Sequence, residues 1–97
     1  MTWVIWTREA VEDVEAIKAY VACDSVRYAT LLAERIVAAV DRLESFPESG
    51  RVVPEVGDES LREVIHGAYR IVYRIVSVDE IHVLTVHHGA RGAIEDL

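Results

Sequence analysis

The 97-residue chain has one cysteine, one methionine, one phenylalanine and two prolines, and Lys18 is its only lysine. A lone Cys23 excludes an internal disulfide and a thiolate metal site. It follows a helical pattern, and the C-terminal end of a helix does not activate a thiol, so a buried structural cysteine is expected. Long apolar runs are missing as well. Stretches such as Ile71-Val72-Tyr73 fall far short of the roughly 20 residues of a membrane span. The opening Met1-Thr2-Trp3-Val4-Ile5-Trp6 has neither the basic region nor the small-residue cleavage site of a signal peptide, so a cytoplasmic location and no membrane partner are expected. Positive charge is scarce: 10 Lys and Arg against 17 Asp and Glu give a net charge of −7. That excludes the broad basic footprint that nucleic-acid binders need for counterion release, and no direct sequence-specific nucleic-acid binding is expected. Gly50, Gly57, Gly67 and Gly89 lack a phosphate-cradling spacing and read as turn residues. No cofactor is expected.

What remains is a globular composition, 52% hydrophobic and 28% charged, of a length that suits a single domain over residues 1–97. Thr2–Trp6 is rich in β-branched and aromatic residues and predicts a strand. Thr7 is placed to cap a helix from Arg8 to about Ala22, with Ala10, Val14, Ile17 and Val21 on one stripe. Asp24-Ser25 breaks this helix. A second is predicted from Val26 to about Glu44, its core face carrying Ala29, Leu32, Ile36, Ala39 or Val40, and Leu43. Pro47 and Gly50 end it, and Arg51–Ser60, with Pro54, Gly57 and Asp58, reads as an extended connector. Strands are predicted at Arg62–His66, Tyr69–Val76 and Ile81–His88, the first pair joined by a tight Gly67-Ala68 turn. The expected fold is α+β in the order β-α-α-β-β-β, a helical hairpin packed on one face of a small twisted antiparallel sheet. The strand that Thr2–Trp6 pairs with is left open.

Successive strand residues point to opposite faces. Tyr69, Ile71, Tyr73 and Ile75 should therefore meet the helices, leaving Arg70, Val72, Arg74 and Val76 on an open face. Counting across the turns places Glu63 and Ile65, then Val83, Thr85 and His87, on that open face too. His82 and His88 fall on the apolar side. On this register His87 lies nearly opposite Arg70, and Glu63 sits diagonally between Arg70 and Arg74. A carboxylate, a histidine and an arginine are suitable parts for acid–base cleavage of RNA. The same residues make a cross-strand charge ladder, worth about 0.2–1 kcal/mol per pair. His87 and His88, adjacent in a strand, point apart and cannot easily share a metal, so no metal site is expected. Val11, Tyr20, Tyr28 and Leu31 lie off the main helical stripes and are candidates for a second apolar groove.

The ordered set of segments resembles the RelE/ParE toxin superfamily, and within it the ParE-like, plasmid-stabilisation type. Trp6-Thr7-Arg8-Glu9-Ala10 with Asp13 is similar to its opening, and Phe46-Pro47-Glu48-Ser49-Gly50-Arg51 to its loop after the helices. Arg62-Glu63-Val64-Ile65 with Tyr69-Arg70-Ile71-Val72-Tyr73-Arg74 resembles its hairpin, and Val83 to Arg91 its last strand and exit. The resemblance implies a toxin of a type II toxin–antitoxin pair, forming a hetero-oligomer with a cognate antitoxin and arresting growth through a protein target, DNA gyrase. The alternatives it leaves are a RelE-like, ribosome-dependent mRNA endoribonuclease and a non-toxic antitoxin-binding module. For the ribonuclease, Arg70 matches the arginine that such members use and Arg91 a second one, with Glu63 and His87 completing the set. RelE-like enzymes also carry extra lysines on the hairpin and a tyrosine or histidine near the C-terminus. Here no lysine follows Lys18 and the chain ends Glu95-Asp96-Leu97. A non-catalytic toxin is therefore expected, with target or antitoxin contacts at Arg51, Arg62, Arg70, Arg74 and Arg91.

Overall fold

A computed structural model describes residues 1–89. The elements are β1 (Trp3–Trp6), α1 (Arg8–Ala22), α2 (Val26–Asp41), a 3-10 turn at Arg42–Glu44, β2 (Arg51–Val52), β3 (Leu61–His66), β4 (Tyr69–Ser77) and β5 (Glu80–His88). Both helix starts are built as the capping chemistry dictates. The Thr7 hydroxyl accepts from the Ala10 N–H, and the Ser25 hydroxyl accepts from the Tyr28 N–H. Gly67 takes φ +58° at the first position of the β3–β4 turn, where a side chain would be strained.

The five strands lie in the order β1-β5-β4-β3-β2. The β2 to β5 pairings are antiparallel, as expected, but β1 joins β5 in parallel, Trp3 opposite Glu80 and Trp6 opposite Val83. The sheet is therefore mixed, and part of the segment read as a connector is its short edge strand. The helical hairpin packs on one face as expected. Ala10, Leu32, Ile36 and Val40 meet Ile71, Val83 and Val86 in the main core, and Leu43 packs beside Tyr73 and Ile81. α1 also seals the β5 edge beyond the end of β1. The Thr7 hydroxyl donates to the Val83 carbonyl (2.8 Å), and Asp13 accepts from the Thr85 hydroxyl (2.7 Å) and the Val86 N–H (3.0 Å).

Three expectations are corrected. A register shift between Val72 and Tyr73 sets Val72 opposite Thr85 but Tyr73 opposite Val83, so Leu84 is the extra residue of a bulge. Val83 therefore turns into the helical core instead of the open face, and His82 stands opposite Arg74, not on the apolar side. Secondly, the face carrying Arg70 is not open. The chain from Val53 to Leu61 crosses it as a strap, and Val53, Leu61 and Val72 bury there with Leu84 in a second small core. Thirdly, Cys23 is exposed, because it sits in the turn between the helices with its thiol toward the Ala19 carbonyl. Among the described residues no helix is long and apolar enough to cross a membrane.

Candidate functional site

The strap turns the expected ladder into a buried ion-pair chain. β3 and β4 place Glu63 opposite Val72 and diagonal to Arg70, and β2 places Arg51 opposite Glu63. The Glu63 side chain is 0% exposed. One of its oxygens accepts from the Arg51 Nε–H, the other from the Nε–H (2.8 Å) and the Nη2–H of Arg70. The remaining side of the Arg70 guanidinium is gripped by Glu55 of the strap, which takes Nη1–H at 2.6 Å and Nη2–H at 2.9 Å. The sequence Arg51–Glu63–Arg70–Glu55 thus alternates in sign and sums to zero. Burying charges is expensive unless they are paired and hydrogen-bonded, and this arrangement satisfies that condition. The Arg70 pKa is raised above the ordinary guanidinium value, first by the hydrogen bonds to Glu55 and then by Glu63, with burial opposing both. Arg70 therefore stays charged throughout the accessible pH range.

The other expected residues are placed apart from one another. His87 is opposite Arg70, as the register predicted, and borders a cleft of about 300 Å³ shared with Asp13, Tyr20, Tyr69 and His88. Arg62 faces the helical side. Its guanidinium donates to the carbonyls of Glu48, Gly50 and Glu59, tying the loop after the helices to β3. Arg74 donates to the Ser60 hydroxyl (2.9 Å) and pairs with Asp58. Hydrogen bonds from the Ser60 N–H and hydroxyl hold the Asp58 carboxyl below the usual aspartate value, with Arg74 adding to them. Arg91 lies outside the described residues. Glu63, Arg70 and Arg51 are brought into contact, His87 matches Arg70 in register but borders the cleft against α1, and Arg62 and Arg74 hold loops instead. Glu55 was not singled out in the sequence. The available signal was the apolar Val52-Val53 before Pro54, which marks the strap as anchored and not merely extended.

A second candidate surface is the outer side of the helical hairpin. Val11, Tyr20, Tyr28 and Leu31 are all exposed, as is Val37. A groove between α1 and α2 is lined by Trp6, Val11, Val14, Lys18 and Val37. Val11 and Val37 share this groove, whereas Tyr20 borders the cleft with His87 and Leu31 lies over a separate hollow with Arg27 and Glu34.

Three comparisons bear on what this architecture serves. Residues 4–92 match the family model described as the ParE toxin of the type II toxin–antitoxin system parDE. A curated protein, Toxin RelE2 of Caulobacter vibrioides, is 31% identical over 91 residues, spanning 94% of this chain and 99% of that protein. A solved structure described as a chromosomal ParDE TA system from P. aeruginosa superposes with a TM-score of 0.74 at 24% identity, covering 91% of this chain and 96% of that one.

Proposed function

The chain belongs to the ParE toxin family of type II toxin–antitoxin systems, and from that premise we propose that it arrests growth by binding a protein target, DNA gyrase, without catalysing a reaction of its own. The observation that carries this reading is the state of Arg70. A ribonuclease needs that cation for the charge of the phosphorane. Here Glu55 and Glu63 occupy its Nε–H and both terminal nitrogens, so an incoming phosphate meets a neutralised site flanked by two carboxylates. A net charge of −7 adds long-range repulsion against a ribosomal surface. The partner that restrains the toxin is a cognate antitoxin, and the outer groove of the hairpin, lined by Val11 and Val37, with exposed Tyr28 and Leu31 elsewhere on α2, is the surface proposed for it.

The test is purified chain added to a gyrase supercoiling assay. The expected result is inhibition or trapped DNA breaks, relieved by antitoxin. Unaffected gyrase together with growth arrest in cells would overturn the gyrase reading. Val11→Glu combined with Leu31→Glu should leave the fold intact, both residues being exposed, and weaken antitoxin binding at least tenfold, as measured by calorimetry. Unchanged affinity would move the antitoxin elsewhere.

A second reading is favoured by one observation, the contact of Glu63 with Arg70 and the register of His87 opposite Arg70, and by the name of the Caulobacter relative. It is ribosome-dependent mRNA cleavage. New mRNA ends mapped on purified ribosomes, lost in Arg70→Lys, would establish it, provided that variant is shown to be folded.

A further inference from the structure

The strap covers only part of the sheet face turned away from the helices. Val53 and Leu61 lie over Val72 and Leu84, and Ser60 and Asp58 reach Arg74. Toward β1 the same face continues. Arg74 stands opposite His82, His82 beside Ile5, and Glu80 beside Trp3. Val4 and Trp6 pack into the helical core, so Trp3 and Ile5, alternating with them, project the other way. Trp3 is 73% exposed and Ile5 43%. Val76 joins them from β4 at 48% exposure, since its neighbour Ile75 turns to the core.

A sheet face left to water ordinarily carries polar side chains. Here the outward residues of β1 are a tryptophan and an isoleucine, two positions apart on one strand. Single exposed apolar residues are normal, but a run of them on one face marks an interaction surface. Tryptophan is also the residue type most enriched at binding hot spots. The border of this patch is acidic. The Asp79 carbonyl accepts from the Trp3 N–H, which sets Asp79 at its end. Glu80 pairs with His82 (2.7 Å) and Asp58 with Arg74 (3.4 Å), so three carboxylates stand there against one arginine.

We propose that this face, centred on Trp3 and Ile5, is where the chain engages its protein target, on an apolar patch of that protein bordered by lysine or arginine. Charge selects the occupant. A basic border answers the acidic one and is drawn to a chain of net charge −7. A second copy would set two acidic borders against each other, and an anionic lipid surface would be repelled in the same way. The arginines expected as contacts do not compete for the role, since Arg62, Arg70 and Arg74 are spent on internal bonds. Trp6 lines the helical groove while Trp3 and Ile5 lie on the opposite face, so the two partner surfaces are separate. The proposal rests on the reading of a protein target, and not on that target being gyrase.

The test is inducible expression in cells lacking antitoxin, with the purified variants run in parallel in the gyrase supercoiling assay. Trp3→Thr with Ile5→Thr keeps strand-forming residues at exposed positions, so its melting temperature should stay close to that of the wild type. It should nevertheless abolish growth arrest and weaken gyrase inhibition at least tenfold. Trp3→Lys alone gives a second variant with the same expected loss. Asp79→Lys should weaken inhibition several-fold, the difference shrinking as salt is raised. Val11→Glu with Leu31→Glu changes the helical side and should leave arrest intact. Folded Trp3 and Ile5 variants that arrest growth like the wild type would overturn the proposal, as would a wild-type chain that arrests nothing. A wild-type dimer in sedimentation that the double variant dissolves would assign the face to a second copy and overturn it too. If the wild type arrests growth but spares gyrase, only the gyrase reading falls, and the comparison of arrest still decides the proposal.

Discussion

Arg70→Ala is expected to lose about 3–5 kcal/mol of folding stability, the cost of breaking a buried pair by removing one partner. The reason is the position of Glu63. Its side chain is 0% exposed, and two of the three N–H groups it accepts come from Arg70. With Arg70 gone, the buried carboxylate keeps Arg51 alone, and Glu55 loses the guanidinium that anchors the strap. A domain of this size has about 5–15 kcal/mol in total, so the variant should unfold at a much lower denaturant midpoint. Arg51→Ala should cost less, because most of that side chain is already in water. The double variant Arg70→Met with Glu63→Leu should recover part of the loss, since apolar residues of similar volume often replace a buried ion pair without penalty. An Arg70→Ala midpoint close to that of the wild type would mean that the charge chain is not closed in solution. The practical consequence is that loss of toxicity in Arg70→Ala says nothing about catalysis until its fold has been measured.

Gly50→Ala is expected to be the other severe substitution. A Cβ at this position would stand 2.6 Å from the Tyr73 hydroxyl oxygen, 2.7 Å from its Cε1 and 2.8 Å from the Glu63 carbonyl oxygen. One of these is backbone of a central strand, so the clash cannot be relieved by a rotamer change. Overpacking of this kind costs about 1–3 kcal/mol. It also displaces the Tyr73 hydroxyl, which donates to the Pro47 carbonyl (2.7 Å) and accepts from the Gly50 N–H (3.0 Å). At about 4–8 °C per kcal/mol for a domain of 60–100 residues, the melting temperature should fall visibly in calorimetry. The companion variant Tyr73→Phe removes the hydroxyl without the clash and leaves the Gly50 N–H without its acceptor, for about 1–3 kcal/mol. It also carries a pH signature. Burial raises the Tyr73 pKa above the ordinary value of 10.0. Its contribution is therefore fully present below pH 10 and is lost as pH rises through the folded value. The wild type should lose stability more steeply than Tyr73→Phe on the alkaline limb. Parallel alkaline limbs would show that the hydroxyl is not buried.

Much of the scaffold was legible because its signals are local. Thr7 and Ser25 announce the two helices, the spacing of Leu32, Ile36 and Val40 gives the core face, and Gly67 marks the hairpin turn. His87 falls opposite Arg70, as strand parity gave it, only because two one-residue shifts, between Val72 and Tyr73 and between Ile75 and Ser77, cancel along the hairpin. The bulge at Leu84 was not legible. One extra residue in a run of Val, Leu and Thr leaves no trace in composition, yet it reverses the facing of everything before it in β5, including Val83 and His82. The strap was missed for a different reason. Pro54, Gly57 and Asp58 describe the local turns correctly but not what the segment lies against. The burial of Val53 and the grip of Glu55 on Arg70 are tertiary facts between residues that are distant in the chain. A charge pattern on a strand identified the partners Glu63 and Arg70 but could not tell a solvent-exposed ladder from a sealed one, and the two differ severalfold in energy.

The parallel pairing of β1 with β5 sets the order in which this toxin comes into being. Trp3–Trp6 waits for Glu80–Val83, and the Thr7 hydroxyl that caps α1 is also bonded across 76 positions to Val83. Closing so large a loop is slow compared with forming a helical hairpin, and a chain growing at about 5–20 residues per second spends seconds without its last strand. Until then β4 has an unpaired edge, and the Asp13 contacts that fasten α1 to β5 do not exist. A chain truncated before β5 should therefore be unable to assemble the sheet, so any surface that depends on the whole sheet appears only once Glu80–His88 has been made.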